Sequence, residues 1–200
     1  MVKSILHVTV LLLIALGGGI WSANAVLNRF DGFGELRVGA WRAYPLAGTE
    51  EADPYAKARA AQKAILPPGA AEGLIFQART DDNGRPLRRN CRYRLSGFTP
   101  SARFWTLYAA SPDLSPIIPR QGLPIALHSR DVLYEQDGSI MVDIGADARS
   151  GNWLPLEGQG DLVLVLTLYD TPAASSAGLV ELVMPKVEPA PFQHDRMCHG

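Results

Sequence analysis

The sequence is poor in cysteine, in aromatic residues and in excess charge of either sign. Its 200 residues include 2 cysteines, 8% aromatic residues, and 19 basic against 20 acidic side chains, for a formal net charge of −1. Proteins that bind nucleic acid usually carry a strongly basic surface, and steering of a charged partner needs a large field of one sign. The composition therefore argues against a nucleic-acid partner.

Familiar catalytic and cofactor-binding motifs are also missing. The sequence has no nucleophile elbow, no His-Glu-x-x-His zinc motif, no phosphate-binding loop and no dinucleotide fingerprint. His128 and Ser129 are neighbours, but adjacent residues on a strand face opposite sides and do not form a nucleophile with its base. His194, Cys198 and His199 have metal-ligand spacing, but they lie in a tail without groups to orient them. We therefore expect no catalytic residue, no metal site and no cofactor.

One long apolar run is present, at the N-terminus. Ile5 to Trp21 is interrupted only by His7 and Thr9, and Lys3 precedes it. Extended to Val26, this segment would span about 33 Å as a helix, against a hydrocarbon core of about 30 Å. A buried core helix is disfavoured, because the segment has no polar face.

Two interpretations of this segment stay open. It is either a retained single-pass anchor in the inner membrane, with the C-terminal domain in the periplasm, or a signal peptide cleaved after Ala25. The length of the run favours the anchor, whereas the Ala23-Asn24-Ala25 motif after three glycines favours cleavage. Both interpretations export the rest of the chain, because the positive N-terminus stays inside.

The cysteine content agrees with export. Cys91 and Cys198 are an even pair, and paired cysteines are typical of an oxidising compartment. We expect a disulfide that joins the C-terminal tail to the middle of the domain, with two unpaired thiols as the alternative.

The remaining chain predicts one short helix followed by strands. Asp53 is a suitable N-cap, Pro54 suits the first helical position, and Pro67 ends the helix. Beyond it, apolar and polar residues alternate with period two between turn signals. The predicted strands are Leu74–Arg79, Asn90–Leu95, Arg103–Ala109, Asp131–Glu135, Ser139–Ile144, Asp161–Asp170 and Gly178–Met184.

These elements predict a mainly β fold, an antiparallel β-sandwich or jelly-roll-like domain with one short helix. We expect an N-terminal transmembrane or signal segment at 1–25 and a connector at 26–52. The sandwich domain would cover 53–186, and a C-terminal tail 187–200.

From about Asp53 onward the chain resembles a bacterial family of domains of unknown function, DUF1214. The most specific match is Asn152-Trp153-Leu154-Pro155 with the downstream strand ending Leu168-Tyr169-Asp170-Thr171-Pro172. Weaker matches are Asp53-Pro54-Tyr55, Phe104-Trp105-Thr106-Leu107-Tyr108 and Tyr134-Glu135-Gln136-Asp137-Gly138-Ser139. The resemblance implies an all-β domain, in a short membrane-anchored form that lacks the partner domain DUF1254 of many members. It implies no chemistry.

Asn152 and Trp153 form the most informative site in the sequence. A Trp that follows Asn and precedes Leu-Pro would close a loop against the sandwich, with the indole N–H and the amide bonded internally. The alternative is a shallow pocket walled by Trp153, Tyr134, Arg130 and Asp143.

An arginine cluster offers a second candidate surface. Six arginines between residues 79 and 94 would form either a patch for anionic headgroups and acidic envelope polymers or a solvated hairpin face.

We expect a membrane-anchored cell-envelope domain that binds a small ligand or a partner protein. The alternative is a periplasmic enzyme that acts on a small carbohydrate or lipid-like substrate through Asp131 and Asp143.

Overall fold

Alternation along the chain produces two β-sheets that share one core. The computed structural model describes residues 2–29, 34–62, 66–69, 72–174 and 182–190. Its helices are α1 (Val2–Arg29) and α2 (Pro54–Gln62), with a 3-10 turn at Pro172–Ala174. Its strands are β1 (Leu36–Val38), β2 (Trp41–Ala43), β3 (Gly73–Ala78), β4 (Tyr93–Gly97), β5 (Phe104–Ala110), β6 (Ala126–His128), β7 (Ile140–Gly145), β8 (Asn152–Pro155), β9 (Val163–Tyr169) and β10 (Lys186–Pro189).

The larger sheet has the strand order β1-β2-β3-β9-β5-β6, and the smaller has β10-β4-β7-β8. Neighbouring strands are antiparallel except β7 and β8, which run parallel. The prediction of a mainly β fold with one short helix behind an apolar N-terminal helix is confirmed.

The core is built from the inward positions of both sheets. Phe76 and Leu107 of the larger sheet and Leu95, Val142 and Ile144 of the smaller sheet are almost completely buried in one cluster. Burial of each such side chain stabilises the fold by roughly 1.5–3 kcal/mol relative to exposure.

Strand β9 is buried on both faces, as its unbroken apolar run predicts. Leu164 and Leu166 belong to the core between the sheets, whereas Val163 and Val165 belong to a smaller cluster on the opposite face of the larger sheet. That opposite face is therefore partly covered.

Helix α2 begins where its cap predicts. A carboxylate oxygen of Asp53 accepts hydrogen bonds from the backbone N–H groups of Tyr55 and Ala56, at 2.9 and 3.0 Å. These bonds satisfy two of the donors that the first helical turn leaves without a partner.

Several features differ from the predicted elements, and two strands, β6 and β8, were not predicted at all. Strands β1 and β2 lie within the expected connector, where Trp41 is buried and its Nε1 donates to the carbonyl of Pro185 at 2.7 Å. Asp131–Glu135 forms no strand and contributes only a bridge between Tyr134 and Ile140. Most of Gly178–Met184 lies outside the described residues, and β10 crosses the expected tail boundary at residue 186.

Helix α1 has the length and composition of a membrane-crossing helix over Val2–Ala25. This stretch of 24 residues has a mean hydropathy of 2.0, and none of it is buried. A membrane anchor and a signal sequence both meet this description.

Candidate ligand-binding groove

Four side chains line up across the outer face of the smaller sheet. Glu188 of β10 is in register with Arg94 of β4, Arg94 with Asp143 of β7, and Asp143 with Trp153 of β8. The neighbouring positions on these strands point into the core, so alternation places this row on the opposite face.

A groove of about 290 Å³ opens on this face, and we call it the sheet groove. Its lining combines one indole with five charged side chains. The charged and aromatic lining residues are Arg92, Arg94, Asp143, Asp147, Arg149 and Trp153.

Arg94 and Asp143 form an ion pair inside the groove. Nε and Nη2 of Arg94 lie 3.1 and 3.0 Å from the same oxygen, Oδ1, of Asp143. Both side chains are partly exposed, at 33% and 22%. The second carboxylate oxygen of Asp143 makes no hydrogen bond to a described residue.

The other three charged groups of the groove are Arg92, Asp147 and Arg149. Arg92 and Asp147 pair at 3.9 Å, close to the limit of an ion pair. Within the described ranges, Arg149 pairs with no carboxylate, and it is exposed. The lining thus has three guanidinium groups and two carboxylates.

The indole of Trp153 is fixed by one hydrogen bond. Its Nε1 donates to the carbonyl of Gly145 at 3.0 Å, and the side chain is half-buried. Since the polar atom is satisfied internally, as the sequence predicts, the ring presents apolar surface to the groove.

Gly145 makes room for Arg92. A Cβ atom built on Gly145 would lie 2.8 Å from Cγ of Arg92, a contact closer than real Cβ atoms show. The aliphatic part of Arg92 therefore lies directly against the β7 backbone.

Tyr93 contributes to the base of the groove, and its side chain is buried in the core. The hydroxyl accepts a hydrogen bond from the backbone N–H of Arg88 at 2.8 Å. Burial raises the pKa of Tyr93 above its ordinary 10.0, and the bond from Arg88 opposes this rise.

The side-chain amide of Asn152, beside the groove, makes three hydrogen bonds to the backbone, and we call this set of bonds the clamp. Its Oδ1 accepts from the N–H of Leu133 at 2.6 Å, and its Nδ2 donates to the carbonyls of Leu133 and Met141 at 2.8 and 2.9 Å. These bonds join the segment after β6 to β7 and β8. As the sequence predicts, the amide is satisfied internally.

The structure brings only part of the expected pocket together. Trp153 and Asp143 line the sheet groove, but Tyr134 and Arg130 lie outside it. The Tyr134 hydroxyl donates to the carbonyl of Ser129 at 3.0 Å, and the Arg130 guanidinium lies 5.7 Å from the ring centre of Phe104.

Of the charged lining residues, Asp147 and Arg149 were missed in the sequence, whereas Arg92 and Arg94 were assigned to the arginine cluster and not to this pocket. The alternation of Asn90–Leu95 places Arg92 and Arg94 on the outer face, which is the signal that could have indicated these two. Nothing in the sequence indicates which strands would lie beside them.

The arginine cluster is divided among several sites. Arg88 pairs with Asp161 at 2.7 Å, whereas Arg92 and Arg94 line the groove. Arg79 donates to Gln77 and to the carbonyl of Pro112. These arginines therefore form no single patch.

The remaining candidates are the aspartates proposed for catalysis and the cysteine and histidine residues. Asp131 pairs at 2.7 Å with His128, the last residue of β6 in the larger sheet. Asp143 lies on β7 of the smaller sheet, so the structure does not bring the two aspartates together on one sheet. Cys91 is buried and disulfide-bonded. His194, Cys198 and His199 lie outside the described residues, so the pairing of Cys91 with Cys198 stays a prediction.

Two solved structures are similar to this chain. The VPA0106 protein from Vibrio parahaemolyticus matches with a TM-score of 0.60 at 14% identity, over 87% of this chain and 43% of that one. A putative uncharacterized protein from Burkholderia cenocepacia matches with a TM-score of 0.40 at 17% identity, over 61% of this chain and 32% of that one. The chain spans less than half the length of either structure. The first likeness supports the fold alone.

A search of curated proteins found no match. A family profile does match residues 72–173, and its description is protein of unknown function, DUF1214. The matched segment covers half of the chain and runs from β3 to β9, which includes the charged pair and the indole of the groove. The chain therefore belongs to the DUF1214 family.

Proposed function

We propose that the protein is a membrane-tethered, non-catalytic binding domain of the cell envelope, whose sheet groove takes an acidic saccharide. The observation that carries the proposal is the combination of a fixed indole with an excess of guanidinium groups in one open groove.

The indole supports a saccharide. Trp153 is held by its bond to Gly145, so its ring is positioned before any ligand arrives. Sugar rings present C–H groups on one face, and these pack on the apolar face of an aromatic ring. The ordered ring loses little freedom on binding, which favours affinity.

The charges support a carboxylate on that saccharide. Arg149 has no carboxylate partner among the described residues, and a guanidinium binds carboxylates through paired, charge-assisted hydrogen bonds. Asp143 keeps one oxygen that accepts no bond from a described residue, so it can accept from a sugar hydroxyl beside Trp153. Glu188 is in register with Arg94 but does not line the groove.

The geometry favours binding over catalysis. The groove volume of about 290 Å³ lies just below the usual range of small-molecule sites, about 300 to 1,000 Å³, so the groove suits a small ligand. The alternative enzyme would use Asp131 together with Asp143. Asp131 follows β6 of the larger sheet, whereas Asp143 lies on β7 of the smaller sheet. No observation among the described residues favours that alternative.

A titration of the full-length chain in detergent micelles tests the proposal. The probe is a digalacturonate, and the readout is the indole N–H resonances of the 4 tryptophans. Trp41 and Trp105 are buried and Trp21 lies on α1, so we expect the Trp153 signal to shift most. We expect Arg149→Ala to weaken binding tenfold or more.

Matched controls make the result specific. Arg130→Ala removes an exposed arginine outside the groove and should leave the affinity unchanged. An uncharged digalactoside should bind at least tenfold more weakly than the digalacturonate. If the digalacturonate shifts no indole resonance, or if Arg149→Ala and Arg130→Ala behave alike, the proposal is wrong.

The location is tested separately. Fractionation of cells with N-terminal sequencing should find an intact N-terminus in the membrane fraction. A chain that starts at Val26 in the soluble periplasmic fraction would replace the anchor with a cleaved signal peptide.

A further inference from the structure

A second and larger cavity lies on the opposite face of the larger sheet, beneath α2. Its volume is about 570 Å³, and we call it the α2 cavity. Its apolar walls come from three strands of the sheet, from α2 and from the segment before α2. The apolar lining includes Leu46, Ala56, Ile75, Tyr108, Leu114 and Val165.

Most of the polar side chains of the cavity lie in two groups, with Arg79, Gln77 and Asp113 in one, and Glu51 and the helix-capping Asp53, next to α2, in the other. Arg79 and Gln77 of β3 line it together, and Nη2 of Arg79 donates to Oε1 of Gln77 at 3.3 Å. Arg79 is exposed and pairs with no carboxylate among the described residues. Asp113 also lines the cavity, but its carboxylate accepts bonds from the hydroxyl and the backbone N–H of Ser115.

The cavity adjoins the end of the N-terminal helix. Gly34 lines it and lies five residues beyond Arg29, where α1 ends. Helix α2, which forms one wall, also contacts α1. An anchor embedded through Val2–Ala25 would therefore hold this cavity near the membrane surface.

We propose that the α2 cavity holds an acyl chain of an anionic membrane phospholipid, with the lipid phosphate at Arg79. This inference rests on the proposed membrane tether and is independent of the sheet groove. A mostly apolar cavity of several hundred Å³ with a few polar side chains in its lining is the usual form of a small-molecule site. The guanidinium supplies planar donors for a phosphate.

Photolabelling of the full-length chain in phosphatidylcholine nanodiscs tests this proposal. The probe is phosphatidylglycerol with a diazirine on one acyl chain, and labelled peptides are mapped after illumination. We expect label on α1, from the bilayer itself, and on peptides that contain Ile75, Tyr108 or Leu114. The α1 label is an internal reference for probe content.

Two substitutions on one helix provide a matched pair. Ala56→Phe adds a ring inside the cavity, whereas Ala58→Phe adds the same ring on the exposed side of α2. Relative to α1, we expect Ala56→Phe to reduce the cavity label at least fivefold and Ala58→Phe to leave it unchanged. Equal label in both variants would overturn the proposal.

A third substitution decides the result even where Ala56→Phe does not fold. Arg79→Gln should reduce cavity label from the phosphatidylglycerol probe at least threefold, with little change for a phosphatidylcholine probe of the same chain. A free diazirine palmitate that labels the cavity better than the phospholipid would contradict the lipid source. Absence of cavity label from every probe would contradict the site.

The two proposals fail separately. Trp153→Ala should leave the cavity label unchanged, because Trp153 lies on the other sheet. If fractionation finds only the cleaved form and the cavity stays unlabelled, both the membrane tether and the lipid site are wrong. The saccharide titration still decides separately whether the sheet groove binds an acidic saccharide.

Discussion

Two nitrogens of Arg94 share a single carboxylate oxygen of Asp143, at 3.1 and 3.0 Å, although the two residues are 49 positions apart. The pair spans β4 and β7 and fixes the guanidinium beside Trp153. Because both side chains are partly exposed, the pair contributes little to stability, and its main effect is to position groups in the groove.

Asp143→Asn tests this division between stability and positioning. We expect the free energy of unfolding to fall by no more than about 1 kcal/mol, since partly exposed ion pairs contribute about that much or less. Digalacturonate affinity should fall, because Arg94 loses its charged partner and its fixed orientation. Urea unfolding and the indole titration measure the two quantities. A loss of several kcal/mol would show that the pair acts as a buried one.

Asn152→Ala is expected to lower the free energy of unfolding more than Asp143→Asn does. The amide makes three hydrogen bonds, to both backbone groups of Leu133 and to the carbonyl of Met141. Their loss should lower the free energy of unfolding by about 1–3 kcal/mol, because the backbone groups lose partners.

Asn152→Asp is the control for the clamp. It keeps an acceptor for the Leu133 N–H but loses both donated bonds, so its unfolding midpoint in urea should lie below that of the unchanged protein. An Asn152→Ala midpoint equal to that of the unchanged protein would show that the clamp contributes nothing.

Local patterns predicted the elements of the fold that depend on neighbouring residues. The cap at Asp53, the alternation through Tyr93 and Leu95, and the doubly buried run at β9 all follow from side chains a few positions apart. Strands β1 and β2 have three residues each, too few for alternation to be recognised. Strand β8 runs parallel to β7, so no hairpin turn indicates the pairing.

The sequence could indicate a residue of the candidate site only where the residue type alone pointed to a site. Trp153 stands out because an indole needs both a partner for its N–H and a surface for its ring. Tyr134 and Arg130 were grouped with it as walls of one shallow pocket, and the structure places both outside the groove. Asp131–Glu135 forms only an isolated bridge from Tyr134 to Ile140, and the Tyr134 hydroxyl donates to the carbonyl of Ser129. Arg94 required the register of β4 against β7, which depends on the whole core.

The disulfide at Cys91 is expected to stabilise the chain through its unfolded state. If Cys198 is the partner, the closed loop is about 100 residues long, and its closure contributes on the order of 4–5 kcal/mol in the chain-entropy model. Cys198→Ser should therefore lower the urea midpoint strongly, and tris(2-carboxyethyl)phosphine should no longer affect it. Two thiols that react with maleimide in the unfolded, unreduced protein would contradict the pairing.

Stability should fall as pH rises above about 10. Burial holds the pKa of Tyr93 above its ordinary 10.0, so the unfolded chain loses this proton first. In that range the folded state binds more protons, and a further rise in pH favours unfolding. The contribution is fully present below the ordinary pKa and is lost as pH rises through the folded pKa.

Tyr93→Phe isolates this effect. Its unfolding free energy between pH 9 and 12 should depend less steeply on pH than that of the unchanged protein, although the raised pKa of Tyr108 leaves part of the slope. At pH 7 the variant should be about 1 kcal/mol less stable, because the Arg88 N–H loses its acceptor. Parallel pH profiles would show that Tyr93 does not titrate differently in the two states.

Gly145→Ala tests whether the shape of the groove depends on one missing side chain. An added Cβ would lie 2.8 Å from Cγ of Arg92, so the arginine must move away from β7. Arg92 and its neighbour Asp147 pair at 3.9 Å, and the displacement would separate them. We expect digalacturonate affinity to fall at least fivefold. The Gly145 carbonyl that accepts from Trp153 is retained, so the Trp153 indole resonance should persist.

The choice of control for Gly145→Ala depends on backbone conformation. Gly151→Ala is unsuitable as a control because its φ of 86° disfavours alanine. Ala146→Gly, beside the same position, is preferable. If Gly145→Ala binds as tightly as the unchanged protein, the position of Arg92 does not define the site, and Arg94 with Arg149 must supply the charge that recognises the ligand.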